Sequence, residues 1–382
     1  MMQDSTKSEP VISGILAFDT SCYTTSLAFV DERGKVRAEK RRMLPVKKGE
    51  RGLRQGDAFF LHGQHLPELL AEILQELRDG GKKIKIEAVA ISTRPRPEPE
   101  SYLPVFRAGY LVAHALATTL EVPLIETSHQ EGHIMAGLYS AQEVGQRDEW
   151  LQSPFLAVHL SGGTTELLRV QYESTKISHC EDAAAYNATM FQIKKLGGTL
   201  DLHAGQLVDR VGVALGLSFP AGPELEKVAA RATEEKDQIF LPAAVKGYNL
   251  SFSGAETAAL RMISKLDSAN DCDTVNREKS VLRTGQASHI ARAVERCIAS
   301  TLEKILRKAV EEEKISKILI VGGVAANTFL RQRLRHRLEH KAVGAQLAFA
   351  TPQLSGDNAV GVALIGHKRL ETSSIVVDPY KS

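Results

Sequence analysis

Two segments of this chain share one pattern, and that pattern limits the folds open to it. Residues 14–30 (GILAFDTSCYTTSLAFV) are an apolar strand, a turn of small polar residues and a second apolar strand. The same order returns at Phe155–Leu160, Ser161-Gly162-Gly163-Thr164-Thr165 and Glu166–Val170. Short apolar runs bounded by Gly, Ser and Thr read as strands joined by tight turns. The repeat is one of pattern, not of identity. In both halves strands alternate with helical periodicity, which implies layered α/β domains. A chain of 382 residues is long enough for two of them.

The spacing of Phe60, Leu66, Leu69, Leu70, Ile73, Leu74 and Leu77 predicts a helix over 57–79. Ala88–Ser92 reads as a buried strand. It runs into Arg94–Pro104, where four prolines in eleven residues exclude regular structure. Helical spacing returns over 106–120 and 129–138. The polar stretch 141–153 marks the expected domain boundary. The expected division is 12–145, 152–350, and a last helix, 351–372, returning to the first half. In the second half, helices are expected at 204–216 and 284–313. Lys317–Val321 (KILIV) reads as a strand that breaks at Gly322-Gly323, with Asn327 opening a basic helix.

Composition excludes several classes. No run approaches the length of a membrane span. Residues 1–11 lack the apolar core of a secretory signal. The four cysteines, Cys22, Cys180, Cys272 and Cys297, form no C-x-x-C pair, which fits a reducing cytoplasm. The net charge is only +2, but Arg33–Arg54 carries ten Lys or Arg against two Glu. A second basic cluster is Arg331, Arg333, Arg335, Arg337 and Lys341. Such patches can attract phosphates, and they also serve as solvated faces.

Three small-residue turns can approach a phosphate with backbone N–H groups: Thr20–Thr25, Ser161–Thr165 and Gly322–Asn327. The third also aims a helix N-terminus. None is a Walker A loop. Together in repeated halves they suit a nucleotide clamped between two similar domains. Asp19 closes the first strand. It can hold Mg²⁺ beside phosphates, or simply bond local backbone N–H groups. His129 and His133 share one helical face and can bind one metal ion. The spacing is weak alone, because His336 and His340 repeat it with no acid nearby. Asp357, in a Gly-Asp-Asn turn, is the candidate third ligand. Two imidazoles and one carboxylate leave open positions and suit iron or zinc.

These residues resemble a known family, the tRNA threonylcarbamoyl-adenosine transferases (TsaD, formerly called O-sialoglycoprotein endopeptidases). The resemblance covers about residues 14–370. Ile15–Ser26 (ILAFDTSCYTTS) looks like the family's opening strand and turn, and Ser128–His133 (SHQEGH) like its N-H-x-x-G/E-H motif. Leu160–Thr165 is similar to S-G-G-H-T. Gly197–Pro223 tracks, without a gap, the segment from G-E-T-x-D-D to Y-P-G-G-P. Asn249–Ala258 (NLSFSGAETA) is similar to F-S-F-S-G-L-K-T. Gly322–Asn327 (GGVAAN) and Gly356-Asp357-Asn358 match the last two motifs.

The resemblance implies an actin/Hsp70/sugar-kinase architecture, two RNase H-like domains with a nucleotide cleft between them. It implies a metal held by His129, His133 and Asp357. Phosphate contacts fall on His159, Leu160, Ser161, Gly162 and Gly163. The nucleoside falls to Asp209, Gly222, Glu226 and Asn327. The implied reaction moves a threonylcarbamoyl group from threonylcarbamoyl-AMP to N6 of the adenine beside the anticodon in tRNA. Implied partners are tRNA and the other proteins of the transfer complex, with a homologous subunit of the same architecture as one candidate. Several positions depart from the family. C-D-E-T is Cys22-Tyr23-Thr24-Thr25, and the G-P-G-L loop is Arg94–Pro99. Thr164 replaces the His of S-G-G-H-T, Leu202 an Asp, Gln206 a Glu, and Glu256 the Lys of S-G-L-K-T. Two other readings stay open: a non-catalytic nucleotide-binding partner subunit, and a carbamoyltransferase acting on another acceptor.

Overall fold

The computed structural model describes residues 10–21, 23–46, 53–79, 81–98, 100–141, 146–173, 189–233, 238–269 and 285–374. Cys22, Pro99, Cys180, Cys272 and part of the first basic stretch, 47–52, lie outside the described residues.

The strands of the first half are β1 (Val11–Asp19), β2 (Thr24–Asp31), β3 (Val36–Met43), β4 (Lys83–Arg94) and β5 (Leu124–Ser128). They form one sheet in the order β3-β2-β1-β4-β5. β1 and β2 pair antiparallel, as do β2 and β3, while β4 and β5 join in parallel. The second sheet is built from β6 (Phe155–Leu160), β7 (Thr165–Tyr172), β8 (Phe191–Gly198), β11 (Lys317–Val321) and β12 (Gln346–Phe349). Its order, β8-β7-β6-β11-β12, repeats the first sheet strand for strand, with the same senses of pairing. A small hairpin, β9 (Ala244–Lys246) and β10 (Asn249–Ser251), meets the chain just after β8 through a bridge between Leu250 and Thr199.

The helices are α1 (Gln55–Arg78), α2 (Phe106–Leu120), α3 (His129–Ala141), α4 (Gln146–Leu151), α5 (Ala204–Ala214) and α6 (Gly222–Ala229). They continue with α7 (Ser253–Ala269), α8 (Gly285–Glu313), α9 (Thr328–Leu338), α10 (Pro352–Ser355) and α11 (Val360–Ser374). Strand β8 was not expected from sequence, since Gln192, Lys194 and Lys195 interrupt its apolar alternation. Glu312 accepts a hydrogen bond from the Tyr248 hydroxyl at 2.6 Å and faces Lys308 at 3.5 Å.

Side-chain parity sorts the faces of each sheet. In β1, Leu16 and Phe18 join Leu66, Leu69 and Ile73 in a core under α1 and α2. Ile15 and Ala17 face the other way. In β6, Leu156, Val158 and Leu160 pack against α5 and α8, and Phe155 and Ala157 face away. The two inner faces share one core with Ile134 and Leu138 of α3 and Val360, Val362 and Ile365 of α11. α3 and α11 therefore fill the layer between the sheets. The same parity carries polar residues to that layer. Asp19 extends the Ile15/Ala17 row, Ser92 the Ala88/Ala90 row, His159 the Phe155/Ala157 row and Glu166 the Leu168/Val170 row. These residues sit at the carboxyl ends of the parallel strands β1, β4 and β6, or directly opposite on β7. Ligands bind at that edge in open α/β sheets.

Candidate functional site

Helix α3 starts as β5 ends, so His129 is its first residue and His133 lies one turn on. Asp357 arrives from the turn before α11. Its Oδ1 lies 3.4 Å from Nε2 of His129 and 3.4 Å from Nε2 of His133. The three ligand atoms fall within 4.8 Å of one another, the one such group among the described residues. His336 and His340, with the same spacing, gain no acid and form no comparable group there.

Asp19 stands behind His129. Its Oδ2 is 2.9 Å from His129 Nδ1, and Ser92 Oγ donates to Oδ1 at 2.7 Å. The Ser21 N–H and hydroxyl each bond it at 3.1 Å. Burial alone would raise the Asp19 carboxyl, but the His129 charge and hydrogen bonds outweigh it and hold it low. Asp357 is likewise held below the usual carboxylate range, against its burial, by both imidazoles. His129 moves the other way: burial disfavours its charge, and Asp19 and Asp357 more than compensate, raising it to about 10. Burial and the His129 charge lower His133.

Two buried carboxylates held in the ionised form need cationic charge beside them; the proton on His129 supplies it here, and an ion that displaces the Nε2 proton would supply it instead. His133 adds two buried ring nitrogens with no aligned hydrogen bond. The donors present thus fit a divalent ion, with the Asp19–His129 bond fixing the imidazole that would ligate it.

His159 extends this line. Its ring lies 4.7 Å from that of His133, and neither nitrogen has a hydrogen-bond partner among the described residues. Burial pushes it well below its ordinary value, so the ring is neutral. The turn that follows closes through Ser161 N–H to Thr164 O at 2.7 Å. A Cβ on Gly162 or Gly163 would meet nothing within 4 Å, so packing within the chain does not demand glycine there. Gly322 differs: its φ is +95° and a Cβ would strike the Leu160 carbonyl. That contact sets the Gly322–Asn327 turn directly beside the end of β6.

The four expected nucleoside residues sit around α6 and the start of α9. The Ala221 N–H donates to Asp209 Oδ1 at 2.8 Å, and burial raises the Asp209 carboxyl despite that bond. At Gly222 a Cβ would meet only Val208, at 3.9 Å. Asn327 caps α9 by accepting from the Leu330 N–H at 2.9 Å. Glu226 Oε1 accepts the Thr328 N–H at 2.8 Å. The helix N-terminus is thus already capped, and a carboxylate stands on it, so it suits a hydroxyl-bearing group better than a phosphate. Sequence reasoning missed Glu295, buried on α8, which accepts from Asn327 Nδ2 and from Arg292, each at 2.6 Å. A cleft of about 270 Å³ opens between the halves, lined by Tyr23, Leu44, Gly162, Asp209 and Phe219 among others.

The family model for tRNA N6-adenosine threonylcarbamoyltransferase (TsaD) matches residues 56–364. The chain belongs to this family. The transferase of that name from Thermosipho melanesiensis is 28% identical over 95% of this chain and 97% of its own length. The one from Symbiobacterium thermophilum is 30% identical over 92% of this chain and 90% of its own. Among solved structures, HypF of T. kodakarensis superposes with a TM-score of 0.54 at 13% identity, over 96% of this chain and 49% of that one. That likeness concerns the fold alone. With the repeated sheets it places this TsaD family member in the actin/Hsp70/sugar-kinase architecture.

The positions that depart from the TsaD pattern have taken local tasks. Tyr23 meets the Phe219 ring edge-on, centroids 6.0 Å apart, across the cleft. Gln206 accepts from the His203 N–H at 3.1 Å at the start of α5. Glu256 binds Arg210 at 3.1 Å. Many charges in the two basic stretches are paired within the fold. Arg37 pairs with Asp31, Lys40 with Glu76, and Arg42 with Glu68 and Glu72. On α9, Arg333 and Arg337 face Glu303, and Arg331 bonds the carbonyls of Ala325 and Ala350. No helix among the described residues is long and apolar enough to cross a membrane.

Proposed function

We propose that the protein transfers a threonylcarbamoyl group from threonylcarbamoyl-AMP to N6 of the adenine beside the anticodon of tRNA. The observation that carries this reading is the meeting of His129, His133 and Asp357 beside the carboxyl ends of both sheets, in a chain of this family. These three residues would hold one iron or zinc ion. Such an ion, when bound, acts as a Lewis acid on the carbamoyl carbonyl.

The chain's own groups supply the rest. Asp19 acts by holding His129 at Nδ1 and so aiming Nε2 at Asp357. His159 is neutral, so one ring nitrogen has a proton to donate to a phosphate oxygen. The open backbone of Leu160–Gly163 receives the same phosphate. Asp209 and Glu226 accept from ribose hydroxyls, Asn327 lies beside them, and Gly222 leaves space for the base. Residues 12–145 and 152–350 close over the ligand from two sides, tied by the helix within 351–372. The turn acids of the family are Tyr23 and Thr24 here, so transfer proceeds without carboxylates at that turn. A tRNA acceptor places the reaction in the cytoplasm, with partner proteins supplying the donor.

The test is to incubate the metal-loaded protein with tRNA, threonine, bicarbonate, ATP and the usual partner proteins. Digested tRNA is then examined by mass spectrometry. Threonylcarbamoylated adenosine is expected with wild type and not with His133→Ala. Its absence with wild type, while AMP still binds, would turn the reading to a non-catalytic partner subunit.

A further inference from the structure

The end of β4 and the loop after it carry arginines, Arg94 and Arg96, where the family has glycines, and neither the ion site nor the nucleoside residues use that loop. The loop is pinned over α3. The Gln130 N–H donates to the Pro95 carbonyl at 3.0 Å, and the Arg96 N–H donates to Ser101 Oγ at 3.0 Å. This delivers the Arg96 guanidinium to Glu166 of the opposite sheet. Arg96 Nη2 donates to Glu166 Oε1 at 2.8 Å, and Lys195 Nζ donates to the same oxygen at 2.6 Å. Gln130, the neighbour of His129, donates to Oε2 at 3.3 Å.

Exposure divides this cluster. The Glu166 side chain is 3% exposed, whereas those of Arg96 and Lys195 are 42% and 54% exposed. Two cations share one carboxylate, so the cluster keeps a net positive charge, and the carboxylate lies on its buried side. Only Nη2 of Arg96 is engaged among the described residues, which leaves the rest of the planar fork to meet an anion. Glu166 stands opposite His159 in the β6/β7 register, and the His159 ring contacts His133. His159 thus stands between the Glu166 end of the cluster and the ion site.

We propose that Arg96 and Lys195, fixed by the buried Glu166, form an anion subsite that receives a phosphate or carboxylate of the donor. The inference rests on the reading above, in which the donor carries both groups: the phosphate of AMP and the free carboxylate of the threonyl moiety. A guanidinium with one edge fixed loses little freedom on binding the anion.

The test is calorimetric titration at low salt of four ligands: AMP, adenosine, N-carbamoyl-L-threonine and its amide. Wild type, Arg96→Ala, Arg96→Lys and Lys195→Ala are compared. Arg96→Ala is expected to weaken AMP or N-carbamoylthreonine about tenfold or more, the scale of a lost charge-assisted bond. Adenosine and the amide should bind as before, and Arg96→Lys should recover part of the loss. Which anion weakens tells phosphate from carboxylate. In Arg96→Ala, Lys195 still neutralises Glu166, and melting curves check that the fold is kept. Equal anion binding by wild type, Arg96→Ala and Lys195→Ala overturns the subsite alone. So does a loss that falls equally on AMP and adenosine. Wild type that binds none of the four overturns the donor reading and the subsite with it.

Discussion

Gly361 of α11 lies against the backbone carbonyl of Gly132 in α3, so close that a Cβ on Gly361 would overlap it. The contact sets where α11 begins. The Asn358 side chain caps that start by accepting from the Val360 N–H at 3.1 Å, and the Ala359 N–H donates to Ser26 Oγ at 2.8 Å. Asp357 is the residue just before, so the crossing of the two helices places it over His129 and His133. Gly361→Ala should therefore lower stability by about 1–3 kcal/mol, the cost of overpacking. It should also weaken metal binding, although no ligand has changed. Thermal melts and metal content measure both. A variant that melts lower but holds metal as tightly as wild type would separate the crossing from the site.

Asp19 bonds His129 at the nitrogen turned away from Asp357. Asp19→Asn keeps the shape but removes the charge that fixes the imidazole. Losing such a partner weakens metal binding about 10- to 100-fold. Equilibrium dialysis against Zn²⁺ should show a drop of that size. Equal affinities would mean that Asp19 does not orient His129.

How much of this was legible in the sequence follows from what each feature depends on. The strands, the small-residue turns and the His129/His133 spacing are local, and each is visible within a dozen residues. The repeat of the two sheets is legible only in the pairs β1/β2 and β6/β7 and the strand Lys317–Val321; β8, interrupted by Gln192, Lys194 and Lys195, and the four-residue β12 escape the pattern. The Arg96–Glu166 contact is not local. It needs the β6/β7 register and the landing of a proline-rich loop on α3, and neither leaves a trace in residue spacing. Glu295 hides in a helix whose apolar stripe would take an aliphatic residue there. The basic stretches show the opposite failing. Counting Arg and Lys overlooks acids such as Glu68, Glu72 and Glu303, which come from other elements and pair with them.

Asp209 accepts the Ala221 N–H, and Glu226 accepts the Thr328 N–H. If they also accept from a ribose, wild type should bind AMP more tightly than its 2′,3′-dideoxy form. An acceptor bond to a charged group is worth about 1.5–3 kcal/mol, or roughly tenfold or more. In Asp209→Asn and Glu226→Gln that preference should shrink. A preference that survives both substitutions would move the ribose elsewhere.

Glu295 is the group whose titration should show in stability. Burial raises it to about 7, against the hydrogen bond from Asn327 and the Arg292 charge, and the Glu226 carboxylate adds to the rise. The folded state thus binds a proton that the unfolded state has lost between the ordinary carboxylate value and about 7. Its stabilising effect is complete below the unfolded value and is lost as pH rises through the folded one. Stability should fall by on the order of 2–3 kcal/mol across that window. Glu295→Gln has no such proton to lose. Denaturant melts at pH 5 and pH 8 should show wild type losing ground to the variant at the higher pH. Parallel changes in the two proteins would show that Glu295 titrates normally.

The most direct measurement is metal stoichiometry. Chelator-stripped wild type, His129→Ala, His133→Ala and Asp357→Ala are each dialysed against Fe²⁺ or Zn²⁺ and read by elemental mass spectrometry. The expected result is about one ion per chain in wild type, as a single His-His-Asp group can hold, and a marked loss in all three variants. Wild type that takes up no ion, or an Asp357→Ala protein that keeps its ion at wild-type affinity, would contradict it.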